Sequence, residues 1–372
     1  MSGILRVGID GRAFASPAAG VRRYIKGLTR ALVALGEPLE LVALGGLDPT
    51  ALPPGIGHVA EPPHPPTNLG WTLVGLPRAA RRAGVDVVHA PAYTAPFWSP
   101  APVVLTIHDV SYERHPEWYP YRRDWARRAF YRRSAHVASQ ILTVSRFSAT
   151  EITAAYGIPA DRMTVTPLGV DGAFVAKDPR SRGPLPPGVR QPYLLHVGDL
   201  HERRNLAMLI RAVVAARRQM PSAKSLSLVL VGTDLSVGDA VSEIARQAGT
   251  PDAVVRLRSV NERRLRGLYQ DAVALAYPSF YEGFGLPLVE AMACGTPVLA
   301  SNVASMPEVL GGAGVLIDPA DEAAWTRAIL DLLNGGDLRG RLRDAGLRRA
   351  GEFTWERTAR LTLDVYRRSV AR

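Results

Sequence analysis

The chain has 372 residues, of which 47% are hydrophobic and 21% carry a charge. This composition excludes a wholly disordered protein and a coiled coil, and the length favours two domains over one. The sequence has no run of about 18 apolar residues, the length that crosses a membrane. Its first ten residues lack the pattern of a secretory signal, so we do not expect secretion.

The formal net charge is +11, and it is carried almost wholly by arginine, since the only lysines are Lys26, Lys177 and Lys224. A charge of this sign allows an anionic partner, which could be nucleic acid, a nucleotide-sugar phosphate or anionic lipid. Cys294 is the only cysteine, which excludes an internal disulfide and a cysteine zinc site with the usual spacing.

The first half of the chain alternates short apolar runs with amphipathic stretches. The runs predict strands at residues 5–9, 39–44, 85–89, 103–107 and 140–144. The amphipathic stretches predict helices at residues 21–35, 72–83, 121–138 and 146–156, and the proline-rich residues 51–66 predict a loop. Because the strands are almost continuously apolar, they are typical of parallel strands buried on both faces.

The alternation stops at residues 177–192, which hold five prolines and two glycines and predict a linker. Strands are expected again at residues 193–197, 227–231, 254–257, 273–277, 297–300 and 315–317, with helices between them. We therefore predict two doubly wound α/β domains, residues 1–178 and 179–354. The last helix, within residues 355–372, either caps the second domain or crosses back to the first.

One segment, residues 281–298, carries most of the chemistry. Glu282 follows a predicted strand, in a turn whose glycines let the backbone approach a ligand. Pro287 suits the first position of a helix, and the N–H groups at such a helix start can bind a diphosphate. Glu290 follows about one turn later, so two carboxylates flank the expected anion site and could hold sugar and ribose hydroxyls. The alternative is a glycine-rich turn with two solvated glutamates.

The full string YEGFGLPLVEAMACGTPV resembles the donor-site motif of retaining glycosyltransferase family 4. Other segments resemble further parts of the family in the same order: GIDGRAFASPAAGVRRYIKGL, VVLTIHD, ILTVSRFSAT, VTPLGVD, HVGDLHERRNL and SNVASMPEVLGGAGVLIDP. The resemblance covers essentially the whole chain. It implies the α/β GT-B architecture, in which two Rossmann-like doubly wound domains face each other across a cleft.

In the first domain the resemblance implies roles for four residues. His108 ends a predicted strand and matches the catalytic histidine that lies under the donor sugar. Asp109 either orients that imidazole or caps the next helix. Gly20 is expected in the loop after the first strand, where the family brings its backbone close to the donor diphosphate. Arg22 stands where the family commonly has a small residue nearby, so it is a candidate for binding the acceptor.

In the second domain the resemblance implies a basic pair that binds the donor phosphates. Arg204 matches a lysine of the family, so it keeps the charge but changes the hydrogen-bonding geometry. Arg203 is expected to supply the second positive charge, because Asp199 stands where the family often has a basic residue.

Among the acidic residues, Glu282 is expected to be catalytic and to hold hydroxyls of the donor sugar, and Glu290 to hold the ribose. Backbone N–H groups of the donor loop are expected from Phe284, Gly285 and Leu286. The chain has no Asp-x-Asp, the acidic pair that holds a metal ion in other glycosyltransferase folds. We therefore expect transfer without a metal or a cofactor, with arginine and helix-end N–H groups neutralising the leaving diphosphate. A Glu282→Ala variant is expected to lose transfer and keep its fold.

The implied reaction moves a hexose, with retention at the anomeric carbon, to a hydroxyl of a saccharide or lipid-linked acceptor. The GFGLP form of the motif resembles mannosyltransferases, which makes GDP-mannose the first expected donor, while UDP-sugars stay open. Three other classes remain as alternatives: a nucleic-acid-binding protein, a sugar-nucleotide epimerase of the same architecture and an inactive relative. The chain contains no recognisable nucleic-acid-binding module, so no nucleic-acid partner is expected.

The segment Tyr121–Arg133 carries six arginines and one aspartate among aromatic residues, a net charge of +5. It predicts either an interfacial helix on anionic lipid or a solvated basic helix. The expected location is cytoplasmic, with peripheral attachment to the inner face of the membrane as one option.

Overall fold

The computed structural model describes residues 3–62, 67–119, 124–174, 185–235 and 237–371. The chain divides into two units, the first made of Met1–Gly169 and Thr354–Arg372 and the second of Val170–Phe353. Each unit is built on its own parallel sheet with helices packed against it. This agrees with the prediction of two doubly wound α/β units.

The first unit has seven strands within its described residues. They are β1 (Leu5–Asp10), β2 (Leu39–Leu44), β3 (Ile56–Val59), β4 (Val87–Ala90), β5 (Val103–Ile107), β6 (Gln140–Thr143) and β7 (Met163–Val165). Their order in the sheet is β3-β2-β1-β4-β5-β6-β7, and every neighbouring pair is parallel. Because β4, β5 and β6 are buried along their whole length, the apolar runs in the sequence correctly predicted parallel strands.

Helices surround this sheet. They are α1 (Ala19–Ala34), α2 (Asn68–Gly70), which continues through a π-helical turn (Trp71–Gly75) into α3 (Leu76–Ala83), then α4 (Ser111–Arg114), α5 (Trp125–Val137) and α6 (Arg146–Tyr156). The apolar core lies between these helices and the sheet and includes Trp71, Leu105 and Ile141. The expected helix at 121–138 begins at Trp125, and residues 121–123 lie outside the described part.

Two edge strands of this sheet were not predicted. β3 lies within residues 51–66, which we expected to form a loop, and it pairs with β2 through Ile56 and its neighbours. β7 pairs with β6. Both strands are short and have no fully buried position, so they leave no continuous apolar run in the sequence.

The last helix, α14 (Trp355–Val370), belongs to the first unit. It packs along α1 and touches β4, β5 and β6. The contact is close at Gly27 of α1, where an added Cβ atom would lie within 2.6 Å of ring atoms of Trp355. Glycine at position 27 therefore sets how near the two helices approach each other.

A buried chain of hydrogen bonds joins α14 to the sheet. The Tyr366 hydroxyl lies 2.7 Å from Nδ1 of His89, and Nε2 of His89 lies 2.8 Å from the Thr106 hydroxyl. That hydroxyl also bonds to Tyr24 of α1, at 2.9 Å. Burial, with a smaller contribution from nearby His108, lowers the pKa of His89 to about 3, so the imidazole in this chain is neutral.

The second unit has six strands within its described residues. They are β8 (Tyr193–Val197), β9 (Ser227–Val231), β10 (Val254–Leu257), β11 (Ala274–Tyr277), β12 (Val298–Ser301) and β13 (Val315–Ile317). The sheet order is β10-β9-β8-β11-β12-β13, again with parallel neighbours. The helices are α7 (Leu206–Gln219), α8 (Gly238–Gln247), α9 (Glu262–Asp271), α10 (Leu286–Ala293), α11 (Met306–Leu310), α12 (Glu322–Leu333) and α13 (Asp337–Ala350).

The division at residues 169 and 170 precedes both the expected boundary at residue 178 and the expected linker at 177–192. Residue 178 and the first part of that linker lie outside the described residues. Residues 170–174 already belong to the second unit, because the N–H of Val170 donates to the carbonyl of Phe353 at 3.0 Å and the Cys294 thiol donates to the carbonyl of Phe174. Within the described ranges, we find no helix whose length and apolar character would let it span a bilayer.

Candidate functional site

The sheet of the second unit reverses its winding direction between β8 and β11. From β8 the chain builds β9 and β10 on one side, and later builds β11, β12 and β13 on the other. At such a point the loops after the two adjacent strands run apart, and a ligand crevice forms beyond their carboxyl ends. Here those loops are residues 198–205 and 278–285, which hold the predicted basic pair and the first predicted carboxylate.

Arg204 and Glu282 meet at this point of the sheet. Nη1 of Arg204 donates hydrogen bonds to Oε1 of Glu282 and to the hydroxyl of Tyr277. Arg203 approaches the same carboxylate, with 3.4 Å between its Nη1 and Oε1 of Glu282. Arg204 and Glu282 are only 7% and 6% exposed. Because two guanidinium groups share one carboxylate oxygen, the cluster is net positive and suits an anionic ligand.

Further contacts fasten the two loops to each other. The N–H of Phe280 donates to the carbonyl of Arg203 at 2.9 Å, and Nη1 of Arg203 donates to the carbonyl of Tyr281 at 3.0 Å. Asn205 adopts a left-handed backbone with φ of 52°, and its amide donates to the carbonyl of Pro319 at 2.7 Å. The basic pair is therefore held by the fold and is not a solvated basic loop.

The predicted donor loop leads into α10, which begins at Leu286. Gly285 has φ of 94°, and a Cβ atom there would lie 2.9 Å from a methyl group of Leu288, so this position suits only glycine. The carbonyl of Phe284 accepts a hydrogen bond from Ser305 at 3.0 Å. The loop is thus fixed in the shape that leads into the helix start, where backbone N–H groups favour an anion.

The second predicted carboxylate, Glu290, lies on a buried face of α10 and is 2% exposed. Its Oε2 accepts a hydrogen bond from the Tyr269 hydroxyl at 2.8 Å. This burial excludes the alternative of two solvated glutamates. Burial, reinforced by the charge of Glu290, raises the pKa of the Cys294 thiol, so Cys294 packs as a neutral side chain.

In the first unit, His108 follows β5 and lies among aromatic rings. Its Nε2 donates to the carbonyl of Pro91 at 3.0 Å, and its ring meets those of Tyr24 and Tyr93 edge to face, at 4.9 and 6.0 Å between centroids. Burial lowers the pKa of His108, although the Pro91 carbonyl and the neighbouring Asp109 act in the opposite direction. The ring is therefore held in one orientation as a neutral imidazole.

Tyr93 was not singled out from the sequence. It has φ of 58°, a left-handed backbone that costs a non-glycine residue roughly 1–2 kcal/mol, and its N–H donates to the carbonyl of Thr106 at 3.1 Å. Backbone strain of this kind collects at functional sites. Tyr93 contacts His108 through its ring, so the loop after β4 and His108 are neighbours within the first unit.

Three other predicted residues of the first unit lie near the starts of helices. Asp109 accepts hydrogen bonds from the backbone N–H and the hydroxyl of Ser111, the first residue of α4, at 2.9 and 2.7 Å. Gly20 lies in the first turn of α1 and is exposed, not in the expected loop. The helix starts two residues earlier than its apolar pattern indicated. Arg22 donates to the carbonyl of Ser16 and so ties α1 to the preceding turn.

The structure thus brings Arg203, Arg204 and Glu282 into one cluster of the second unit, with Glu290 held separately by Tyr269. His108, Asp109, Gly20 and Arg22 belong to the first unit. Among the described residues, no three His, Cys, Asp or Glu side chains are grouped so that they could hold a metal ion.

Two family models match the chain. The model described as "Glycosyltransferase Family 4" matches residues 18–174, and the one described as "Glycosyl transferases group 1" matches residues 178–349. Together they span residues 18–349 apart from 175–177.

Named proteins match along most of the chain as well. It is 35% identical to O-antigen chain mannosyltransferase B of Escherichia coli over 71% of this chain and 70% of that protein. It is 30% identical to MMP alpha-(1->4)-mannosyltransferase of Mycolicibacterium hassiacum over 94% of each. Among solved structures, sucrose-phosphate synthase from Thermosynechococcus elongatus aligns over 99% of both chains, with a TM-score of 0.78 and 21% identity. That likeness concerns the fold.

Proposed function

The chain belongs to glycosyltransferase family 4, with two Rossmann-like domains of the GT-B type, and from that premise we propose that it moves a hexose with retention from a sugar nucleotide to an acceptor hydroxyl. The acceptor in this proposal is a saccharide or a lipid-linked saccharide. The observation that supports it most is the convergence of Arg203, Arg204 and Glu282 beyond the ends of β8 and β11.

The proposed donor is GDP-mannose. Two relatives that match most of the chain are named mannosyltransferases, and this chain belongs to the same family as they do. A UDP-sugar, such as UDP-glucose or UDP-N-acetylglucosamine, is the alternative donor. Both donors present a diphosphate to the same cluster, so the choice depends on contacts to the base and the sugar.

In the proposed mechanism the chain's own residues supply charge and orientation. Arg204 and Arg203 neutralise the diphosphate as it leaves, assisted by N–H groups at the start of α10. Glu282 uses its carboxylate oxygens for hydroxyls of the donor sugar once the diphosphate occupies Arg204, and Glu290 binds the ribose. His108 is neutral and held by Pro91, so it can donate to or accept from the sugar without changing its charge. Arginine charge takes the place of a metal ion in this proposal, and no cofactor is required.

Retention in this proposal follows from attack on the face of the sugar that the diphosphate leaves. The leaving phosphate oxygen accepts the proton of the acceptor hydroxyl, while a new bond forms from the oxygen of that hydroxyl to the anomeric carbon. The bond from the anomeric carbon to the diphosphate breaks. The products are the glycosylated acceptor and the nucleoside diphosphate.

A panel of sugar nucleotides tests the proposal. A ligand that binds only the folded protein stabilises it by about 2.7 kcal/mol at 100 times its dissociation constant, so GDP-mannose should raise the unfolding temperature more than UDP-glucose or UDP-N-acetylglucosamine. Arg204→Met should lose this response. Arg211→Met is the matched control, because Arg211 pairs with Glu322 on exposed helix faces. Stabilisation by UDP-sugars alone would support the alternative donor, and no response to any sugar nucleotide would contradict the proposal.

We also propose that the acceptor side of the protein binds the anionic surface on the cytoplasmic face of the membrane. In the described part of Tyr121–Arg133, three residues lie on the exposed face of α5. They are Trp125, which is 78% exposed, Ala129 and Arg133. Part of its charge is neutralised locally, since Arg127 pairs with Asp124 and Arg128 with Glu113.

A neighbouring loop extends this surface. Phe97 packs on Phe130 of α5 at 5.0 Å between ring centroids, and the guanidinium of Arg133 lies 5.9 Å from the Phe97 ring. Trp98, 58% exposed, carries the guanidinium of Arg81 over its ring at 5.1 Å. Aromatic side chains beside arginine are typical of helices that lie in the headgroup region of a bilayer.

Vesicle flotation tests this surface. Vesicles of phosphatidylcholine with phosphatidylglycerol should carry the protein, and vesicles of phosphatidylcholine alone should not. Trp125→Ser should weaken the binding, whereas Leu235→Ser, a change of an exposed apolar residue in the second unit, should leave it unchanged. If both vesicle types carry the same amount of protein, an anionic membrane surface is excluded as a partner.

A further inference from the structure

Arg204 occupies a fitted socket at the switch point of the second sheet. Its guanidinium lies over the ring of Tyr277, with 5.1 Å between Cζ and the ring centroid, and Nη1 also donates to the Tyr277 hydroxyl. On another side, a Cβ atom at Gly198 would lie 3.0 Å from Nη2 of Arg204. Ring, hydroxyl and glycine together leave the guanidinium little freedom to rotate.

His196 supports the tyrosine from behind. Its ring is stacked on Tyr277, with 5.4 Å between centroids and 20° between planes. Nδ1 of His196 donates to the carbonyl of Ala276 at 3.0 Å. Burial, and secondly the charge of Arg204, lowers the pKa of His196 to about 3. The imidazole is therefore neutral and can remain close to a guanidinium without like-charge repulsion.

Within the described part of the chain, the socket leaves one buried hydrogen-bond donor of the arginine side chain unused. Among the described residues, Nε of Arg204 is buried and has no hydrogen-bond partner, and the same holds for Nε2 of His196. A buried guanidinium N–H without an acceptor is rare in folded proteins. An anionic oxygen at this place would satisfy it, which agrees with a phosphate as the ligand of the cluster.

We propose that Tyr277 is a positioning residue of the donor site, which fixes the plane of the Arg204 guanidinium against the diphosphate of the sugar nucleotide. The inference rests on the proposed function, because it assumes that a nucleoside diphosphate is the ligand. Burial raises the pKa of Tyr277, so its hydroxyl keeps its proton and acts as a neutral acceptor for Nη1. When the diphosphate enters, Glu282 yields its place on Arg204 while Tyr277 holds the guanidinium in position.

The principal experiment compares nucleotides with nucleosides. Tyr277→Phe retains the ring between His196 and Arg204 and removes only the hydroxyl. Calorimetric titration with GDP and UDP should give a dissociation constant that is raised roughly tenfold, because the guanidinium is no longer held in place before the nucleotide binds and has to be ordered on binding. Guanosine and uridine have no phosphate, so their affinities should stay within twofold of the wild type. Tyr193→Phe is the matched control, since its buried hydroxyl donates to the carbonyl of Leu268 away from the cluster.

A double-mutant cycle separates positioning from stability. In an Arg204→Lys background the tyrosine has no guanidinium to orient, so Tyr277→Phe should change the GDP or UDP affinity by less than twofold. Gly198→Ala tests the position of the guanidinium in a second way, because its methyl group displaces Nη2. This variant should bind nucleotides more weakly and bind nucleosides as the wild type does.

The outcomes are distinct. Equal losses for nucleotides and nucleosides, or unchanged nucleotide affinity in Tyr277→Phe, would overturn the inference and leave the proposed function intact. A wild type that binds neither GDP nor UDP would contradict the proposed function and the inference with it. A selective loss for nucleotides that disappears in the Arg204→Lys background supports the inference.

Discussion

Replacement of Glu282 by alanine should have two effects of opposite sign. Glu282 accepts from Arg204 and lies 3.4 Å from Arg203. Its removal leaves Arg204, which is 7% exposed, without a carboxylate. Breaking a buried ion pair by removing one partner typically costs 3–5 kcal/mol. Because the Tyr277 hydroxyl and Ser279 still accept hydrogen bonds from Arg204, we expect about 3 kcal/mol.

The second effect is tighter binding of the anion. In the wild type a diphosphate has to compete with Glu282 for Arg204. In Glu282→Ala the guanidinium is free for the ligand, so GDP should bind roughly tenfold more tightly, a change of about 1.4 kcal/mol. Transfer should nevertheless fall by roughly a hundredfold or more, because the carboxylate no longer contacts the donor sugar.

Urea unfolding of both proteins, with and without GDP, measures the first effect, and calorimetric titration with GDP measures the second. Glu322→Ala is the matched control: it breaks an exposed pair with Arg211, which should cost less than about 1 kcal/mol and leave the GDP affinity unchanged. A Glu282→Ala protein that is as stable as the wild type, or that binds GDP more weakly, would refute the reasoning.

Three further predictions concern stability. Gly27→Ala should lower the free energy of unfolding of the first unit by about 1 kcal/mol, because the steric clash with Trp355 outweighs the better helix propensity of alanine. A higher free energy of unfolding in urea would contradict this. Ala304→Gly should raise the unfolding temperature by about 2 °C, since φ of 56° strains alanine; calorimetry checks it. The pKa of His196, about 3, lies below its unfolded value of about 6.5, so protonation favours the unfolded state and stability falls as the pH drops through this interval. Between pH 7 and pH 5 the second unit should lose about 2 kcal/mol through this group, and His196→Gln should remove that part of the loss; an unchanged pH dependence in the variant would exclude it.

The sequence predicted most of the core strands because burial on both faces leaves an uninterrupted apolar run. The strands β2, β5, β8, β9, β10 and β13 have the predicted bounds. It did not predict β3 and β7, because their sequences, IGHV and MTV, hold only two apolar residues each, and these are separated by glycine and histidine or by threonine. It also placed Gly20 in a loop, since the two residues that begin α1, Ala19 and Gly20, are exposed and carry no large apolar side chain.

The sequence predicted the parts of the site whose residues are close together in the chain. The glycine-rich string placed Glu282 and Glu290 in a loop and its following helix, and their local setting agrees with the structure. The pairing of Arg204 with Glu282 joins residues 78 positions apart, and it follows from β8 and β11 being neighbours in the sheet, which a single sequence does not display. Tyr277 and His196 were missed for the same reason. Their position at or near the ends of those strands was the available signal.

The buried chain from Tyr366 through His89 to Tyr24 has a consequence for biosynthesis. The ribosome completes all of Val170–Phe353 before it makes α14, so the second unit can fold while the first still lacks its final helix. Until α14 arrives, the imidazole of His89 has no Tyr366 partner, and the groove along α1 around Gly27 is open to water. The N-terminal unit is therefore the last to mature. A fragment that ends at Gly169 should expose apolar surface and bind chaperones during synthesis, whereas a fragment of Val170–Phe353 should fold on its own.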